Sequence, residues 1–201
     1  MNKVNICNLA LSLIGNKTIT DIETPSSAEE KVCQLWYDIS RKEALVEASP
    51  NFARTRKEIP ITTQENPFGF NKVFKKPIDC LKVLGIGEAD NVLTSYNVEG
   101  GYIYTNEGTD NKLRIRYIKD ITDENLFTAT FIKYFAFLLA SNICYQINKD
   151  QNLIGYLNQL RVESLKRVNT VENQESKITI KSASRIHQAQ RTGHFTGRQQ
   201  K

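Results

Sequence analysis

Apolar residues are densest between Phe127 and Ile147. Within that run Phe131, Phe135, Leu138, Leu139, Asn142 and Ile143 recur at three- and four-residue steps, the spacing of one helical face. Ile132, Ala136 and Ile147 carry the apolar surface round the cylinder. A helix hydrophobic on nearly all sides has to be wrapped by its neighbours. Lys133, Asn142 and Gln146 interrupt the run before it reaches the roughly 20 apolar residues of a membrane span. The pattern therefore predicts a central helix with other elements as its coat, and no membrane.

The flanking segments supply that coat. Asn2 to Ile14 reads as a first helix with Ile6, Leu9, Ala10 and Leu13 on one face, stopped by Gly15-Asn16. A second helix opens at Ser27-Ala28-Glu29-Glu30, a capping-box pattern in which serine and glutamate satisfy each other's exposed amides. Its expected inward stripe is Val32, Leu35, Trp36, Ile39 and Leu45–Val46. Ser49-Pro50 ends it, because the residue before a proline is held out of helical backbone. A fourth helix follows Asn148-Lys149-Asp150 and runs from about Gln151 to Asn173, with Leu153, Leu157, Leu160, Leu165 and Val168 inward and Lys166, Arg167 and Glu172 outward. The short connection makes the third and fourth helices an antiparallel hairpin. Asp120 to Asp123 is expected to cap the third.

Between the second and third helices the periodicity drops to two. Phe52–Ile61, Cys80–Ile86, Val92–Val98, Tyr102–Thr105 and Lys112–Lys119 read as strands. Glu99-Gly100-Gly101 is a hairpin signal, since glycine accepts positive φ without cost. The expected fold is α+β and mainly α. It is a four-helix bundle with a small antiparallel sheet, at about 52–119, inserted between helices 2 and 3, and an extended C-terminal tail. Two regions follow: a helical body at 1–175 and a tail at 176–201.

Charge sharpens that division. The net charge of +5 arises from 27 Lys and Arg against 22 Asp and Glu. The tail from Lys177 holds six of the basic residues and none of the acidic ones, so the remainder carries one net negative charge. Beyond Glu175 the apolar pattern fades to Ile178, Ile180, Ile186 and a single aromatic, Phe195. Such a segment cannot bury enough apolar surface by itself to offset the entropy of ordering. It is expected to order only against a partner, with those apolar residues as anchors and Lys181, Arg185, Arg191 and Arg198 meeting acidic groups. A nucleic-acid arm is the alternative, but six charges over 25 residues are thin for one and leave the isoleucine spacing unexplained.

Catalytic chemistry finds little purchase. The chain has no GxSxG, P-loop, HExxH, GxGxxG or zinc-spaced cluster. The carboxylate pairs Glu29-Glu30 and Asp120/Asp123-Glu124 are of a kind that serves hydrolases, but each stands at an expected helix start, where it favours the helix dipole. Cys7, Cys33, Cys80 and Cys144 lie far apart beside apolar positions, as buried reduced thiols do. His187 and His194 have no neighbouring carboxylate. No cofactor or metal is indicated. The first fifteen residues carry no signal-peptide pattern, which makes cytoplasmic synthesis the expectation.

Several stretches, in order, resemble one family. Ala10-Leu11-Ser12-Leu13-Ile14-Gly15 followed by Ile19-Thr20-Asp21-Ile22 is similar to the N-terminal helix and turn of the head-to-tail adaptors of short-tailed bacteriophages, also called tail tubular protein A or tail accessory factor. Ser27-Ala28 through Trp36-Tyr37-Asp38-Ile39-Ser40-Arg41 to Leu45 resembles their second helix. Ser49-Pro50-Asn51-Phe52-Ala53-Arg54 matches the segment where the family shows Pro-Trp-x-Phe-Ala, without the tryptophan. Lys76-Pro77-Ile78-Asp79-Cys80 and the residues to Ile86 resemble its Leu-Pro-x-Asp-Cys segment, and Ile115-Arg116-Tyr117-Ile118 with Asp120 to Phe131 continues the likeness over about 1–170.

The resemblance implies a virion structural protein, assembled in the host cytoplasm. It would form a homo-oligomeric ring, twelve copies in known members, that joins the portal protein to the tail nozzle or hub and extends a channel through which DNA passes without specific binding. It implies that the tail residues Ile178, Ile180, Lys181, Arg185, Ile186, Arg191, Phe195 and Arg198 dock on the portal. Loops at Thr62–Asn71 and Asn106–Asn111, with Pro67, Phe68, Asn106 and Asp110, are assigned to the nozzle side. Peptidoglycan hydrolysis, reported for some related adaptors, is the alternative activity; no motif for it transfers to these residues.

Overall fold

The structure is a computed structural model and describes residues 1–63, 69–87, 95–109 and 111–175. Helices stand at both ends of the chain, α1 (Lys3–Leu13) and α2 (Ala28–Ala48) before the strands, α3 (Ala129–Asn148) and α4 (Gln151–Glu175) after them. Between them come β1 (Arg54–Pro60), β2 (Lys72–Lys75), β3 (Cys80–Ile86), β4 (Tyr96–Glu99), β5 (Tyr102–Thr105) and β6 (Lys112–Lys119).

The α3 helix is the hub: α1, α2 and α4 all pack on it. Phe131, Tyr134, Phe135, Leu138, Leu139, Ala140, Ile143 and Cys144 along it are buried. At its start the Phe131 ring stands edge-on to Phe52 and Phe127, each 5.1 Å away, and Phe135 meets Tyr37 at 5.3 Å. Among the described residues no helix is long and apolar enough to cross a membrane.

The expected four-helix bundle with a small inserted sheet is not the architecture. Two three-stranded antiparallel sheets are present, ordered β1-β6-β3 and β2-β5-β4. They share a second core of Ile59, Phe74, Cys80, Ile86, Ile103, Leu113, Ile115 and Tyr117. The helices surround α3 rather than forming a four-way bundle, because α1 and α4 scarcely touch α2. The physical reason lies in α4, which buries only Leu157, Ser164, Val168 and Glu172. A stripe that narrow covers one neighbour and no more. The strands, in turn, carry enough inward residues to close a core of their own.

β6 joins the two cores. Leu113, Ile115 and Tyr117 alternate into the sheet core, whereas Ile118 belongs to the helical one. β3, its bulged neighbour, shifts register between Cys80 and Lys82 and again between Val83 and Gly85. A bulge bends a strand and re-aims its side chains. The β4–β5 hairpin turns on Gly100 and Gly101, at φ +55° and +86°. Positive φ at both central residues matches the twist of the flanking strands.

Caps explain most helix ends. Ser27 and Glu30 make the expected reciprocal box at the start of α2, and Ser49 closes it in left-handed backbone at φ 45°. Thr128, not Asp120–Asp123, caps α3. Asp123 caps a short 3-10 turn over Glu124–Leu126, and Asp120 has turned back to pair with Arg41 of α2.

Candidate functional site

α2 has two apolar faces. The inner one consists of Cys33, Tyr37, Ser40, Arg41, Ala44, Leu45 and Ala48, all buried. Of the stripe expected above, Leu45 is buried on this face and Val32 and Trp36 pack at its edge, but Leu35 and Ile39 turn the other way. Leu35 and Ile39, one helical turn apart, are 59% and 53% exposed. Val32, Trp36 and Val46 flank them, each half-buried. The expectation failed because small and polar residues fill the inner face. Ser40 receives a 2.9 Å hydrogen bond from the Asn142 side chain of α3. Arg41, 2% exposed, reaches the Asp38 and Asp120 carboxylates and the Ile121 carbonyl. Such partners let polar groups occupy a core position, and a hydropathy pattern does not reveal them.

Neighbouring elements leave the outer stripe open. α4 meets α2 on its flank, where Arg161 lies 3.6 Å from both Glu43 and Glu47. β3 meets it at the C-terminal end, where the Lys82 ammonium donates to the Val46 carbonyl at 3.5 Å. The indole Nε1 of Trp36 is buried without a hydrogen-bond acceptor among the described residues. Full burial of a Leu or Ile side chain is worth about 1.5–3 kcal/mol, so covering these two half-exposed ones is worth about 1 kcal/mol each.

The described flanks of the segments assigned to the nozzle side meet at one end of the sheets. The Asn71 amide donates to Asn106 Oδ1 at 2.8 Å, and the Lys72 ammonium to the Gly108 carbonyl at 2.6 Å. The Ile61 amide donates to the Asn111 carbonyl at 2.7 Å. This end lies where Pro60 pairs with Lys112. It is six residues along β1 from Arg54, hence about 20 Å from the helical layer at roughly 3.3 Å per residue. Asn106 itself is exposed. Pro67, Phe68 and Asp110 lie outside the described residues, as do the tail residues Ile178, Ile180, Lys181, Arg185, Ile186, Arg191, Phe195 and Arg198.

The root of the tail is fixed. Glu172, expected on the outside of α4, is 3% exposed. Its carboxylate accepts the Asn51 amide at 2.7 Å, and its carbonyl accepts from the Asn51 side chain at 3.0 Å. α4 therefore ends beside the start of β1, between the helices and the sheets.

Of the carboxylate pairs of a kind that serves hydrolases, Glu30 and Asp120 are engaged in structural contacts. Glu30 accepts from the Ser26 amide and hydroxyl and from the Ser27 amide at 2.8–3.0 Å. The backbone hydrogen bonds from Ser27 and Ser26 hold its pKa down at about 2, the wrong direction for a general acid. Asp120 pairs with Arg41 and Lys42. All four cysteines are buried. The hydrogen bond to Cys33, followed by burial, pushes the Cys7 thiol far up, and burial raises Cys80 and Cys144; the hydrogen bond from Cys7 instead lowers Cys33, but that thiol is fully buried, out of reach of a substrate. Among the described residues no group of three or more His, Cys, Asp or Glu is disposed to hold a metal ion. No protein-family model and no curated protein matches this chain.

Proposed function

We propose that this protein is a ring-forming structural adaptor of a short-tailed phage virion, joining the portal to the tail nozzle and extending the DNA channel. The observation that carries the reading is the outward apolar stripe of α2. A stripe of Leu35 and Ile39, bordered by Val32, Trp36 and Val46, needs a cover, and in this reading a second copy supplies it. A closed ring uses head-to-tail contacts, so the stripe of one subunit meets a different surface of the next.

Three further features support the proposal. The motifs along 1–170 occur in the order that adaptors show. The body is close to neutral, which suits a channel, because a strongly basic lumen would retain DNA through phosphate contacts. The paired loops at the sheet end and the root of the tail at Glu172 lie apart, which suits two docking regions: in this reading the nozzle meets the loops and the portal meets the tail.

Electron microscopy of the full chain mixed with its portal protein tests the reading. The expected image is a ring stacked on the portal, and residues 1–175 alone should fold but fail to dock. Absence of rings under any mixing condition, or normal docking of the truncated chain, would contradict it.

A further inference from the structure

A shallow cleft of about 190 Å³ opens where the first turn of α3 meets the middle of α4, walled by Ala129, Thr130 and Lys133 from one helix and Ser164 and Arg167 from the other. Four features converge on it. First, the Thr128 cap serves only part of the helix start: its hydroxyl accepts the Phe131 amide at 3.4 Å and its carbonyl the Ile132 amide at 2.9 Å. The amides of Ala129 and Thr130 belong to the first turn, which has no intrahelical acceptor, and they stand at the positive end of the helix dipole. Second, the first turn of α3 holds no acidic residue, whereas that of α2 holds Glu29 and Glu30.

Third, Lys133 and Arg167 form no ion pair among the described residues. The Lys133 ammonium instead lies over the Phe137 ring at 5.9 Å. Fourth, Ser164 is 8% exposed and its hydroxyl has no hydrogen-bond partner among the described residues. Ser12, Ser141 and Thr170 bond back to Leu9, Leu138 and Lys166 of their own helices, whereas Ser164 does not and lines the cleft. The cleft is the opening through which the Ser164 hydroxyl is reached, and an acceptor held there would pair with it. The Thr130 hydroxyl lies 3.3 Å from that of Thr128, and either can donate to the other; with Thr128 donating, Thr130 has its proton free for the cleft.

We infer that this cleft binds a phosphate group, held by the Ala129 and Thr130 amides, the Thr130 and Ser164 hydroxyls, and the two cations. Helix-terminus amides with a guanidinium and an ammonium form a donor set suited to a tetrahedral dianion. The inference is independent of the assembly reading. The phosphate is either the free ion or part of a nucleic-acid backbone, and the assay separates the two.

Equilibrium dialysis of the full chain against radiolabelled inorganic phosphate, at constant ionic strength in chloride, should show one saturable site per chain. Arg167→Gln should weaken it by about tenfold or more, the loss of a charge-assisted contact, and Ser164→Ala by a few-fold. Lys31→Gln, on the exposed face of α2, should leave it unchanged. Arg167 is exposed, so its variant should keep the parent's circular dichroism and its melting temperature in chloride. Displacement of the label by a short DNA duplex assigns the phosphate to nucleic acid, and failure of displacement assigns it to the free ion. Binding that does not saturate, or that is equal in the parent and in folded R167Q, would overturn the site.

Discussion

Glu30 and Arg41 show how single polar residues determine local structure. Glu30 closes the box that starts α2 and also gathers the chain at Ser26. Its pKa is depressed to about 2, so it stabilises the fold at pH values above the ordinary glutamate range, and that contribution is lost as pH falls through 2. Glu30→Gln should therefore be less stable than the parent at neutral pH, with the two converging near pH 2 in urea titrations across that range. Arg41 has the opposite sign and similar dependence on partners. Removing Asp120 leaves a buried guanidinium with only the Asp38 carboxylate and the Ile121 carbonyl. Asp120→Ala should cost about 3 kcal/mol, the low end for breaking a buried ion pair, measured by chemical denaturation. Gly108 is constrained by space: a Cβ there would sit 2.6 Å from the Lys112 carbonyl at φ +109°. Gly108→Ala should lower the melting temperature, because the obstacle is backbone and cannot swing aside.

At the scale of elements, α3 was legible because its apolar residues are large and run round the helix. The Ser27–Glu30 box and the Gly100-Gly101 hairpin were legible because each depends on neighbours in sequence. The orientation of α2 was not. Leu35 and Ile39 outscore Ser40, Arg41 and Ala44 on any hydropathy scale, yet the latter face the core, because Asn142 and Asp120, some 80 to 100 residues away, satisfy them. Glu172 was misplaced for the same reason, its partner being Asn51. The division into two sheets also escaped, since pairing β6 between β1 and β3 depends on contacts across the whole inserted region. The energetic weight nonetheless rests on α3: Phe131→Ala, which empties the centre of an aromatic cluster, should cost about 3–5 kcal/mol by denaturant titration.

For the whole molecule, the proposed adaptor role assigns different tasks to different parts of the layout. The paired loops stand at the far end of the sheets, α4 ends at the waist beside Asn51, and α2 turns its second apolar face sideways. A subunit of that shape suits a ring in which neighbours touch laterally and the two ends remain available to other proteins. The role of the sideways face is separable from folding because Leu35 and Ile39 contribute little to the core. The most direct test is sedimentation velocity of the L35D/I39D double variant mixed with portal protein, beside the parent. The variant should keep native circular dichroism and melting temperature but form no ring-sized species, while the parent should form them. A folded variant that assembles as the parent does would contradict the role of that face.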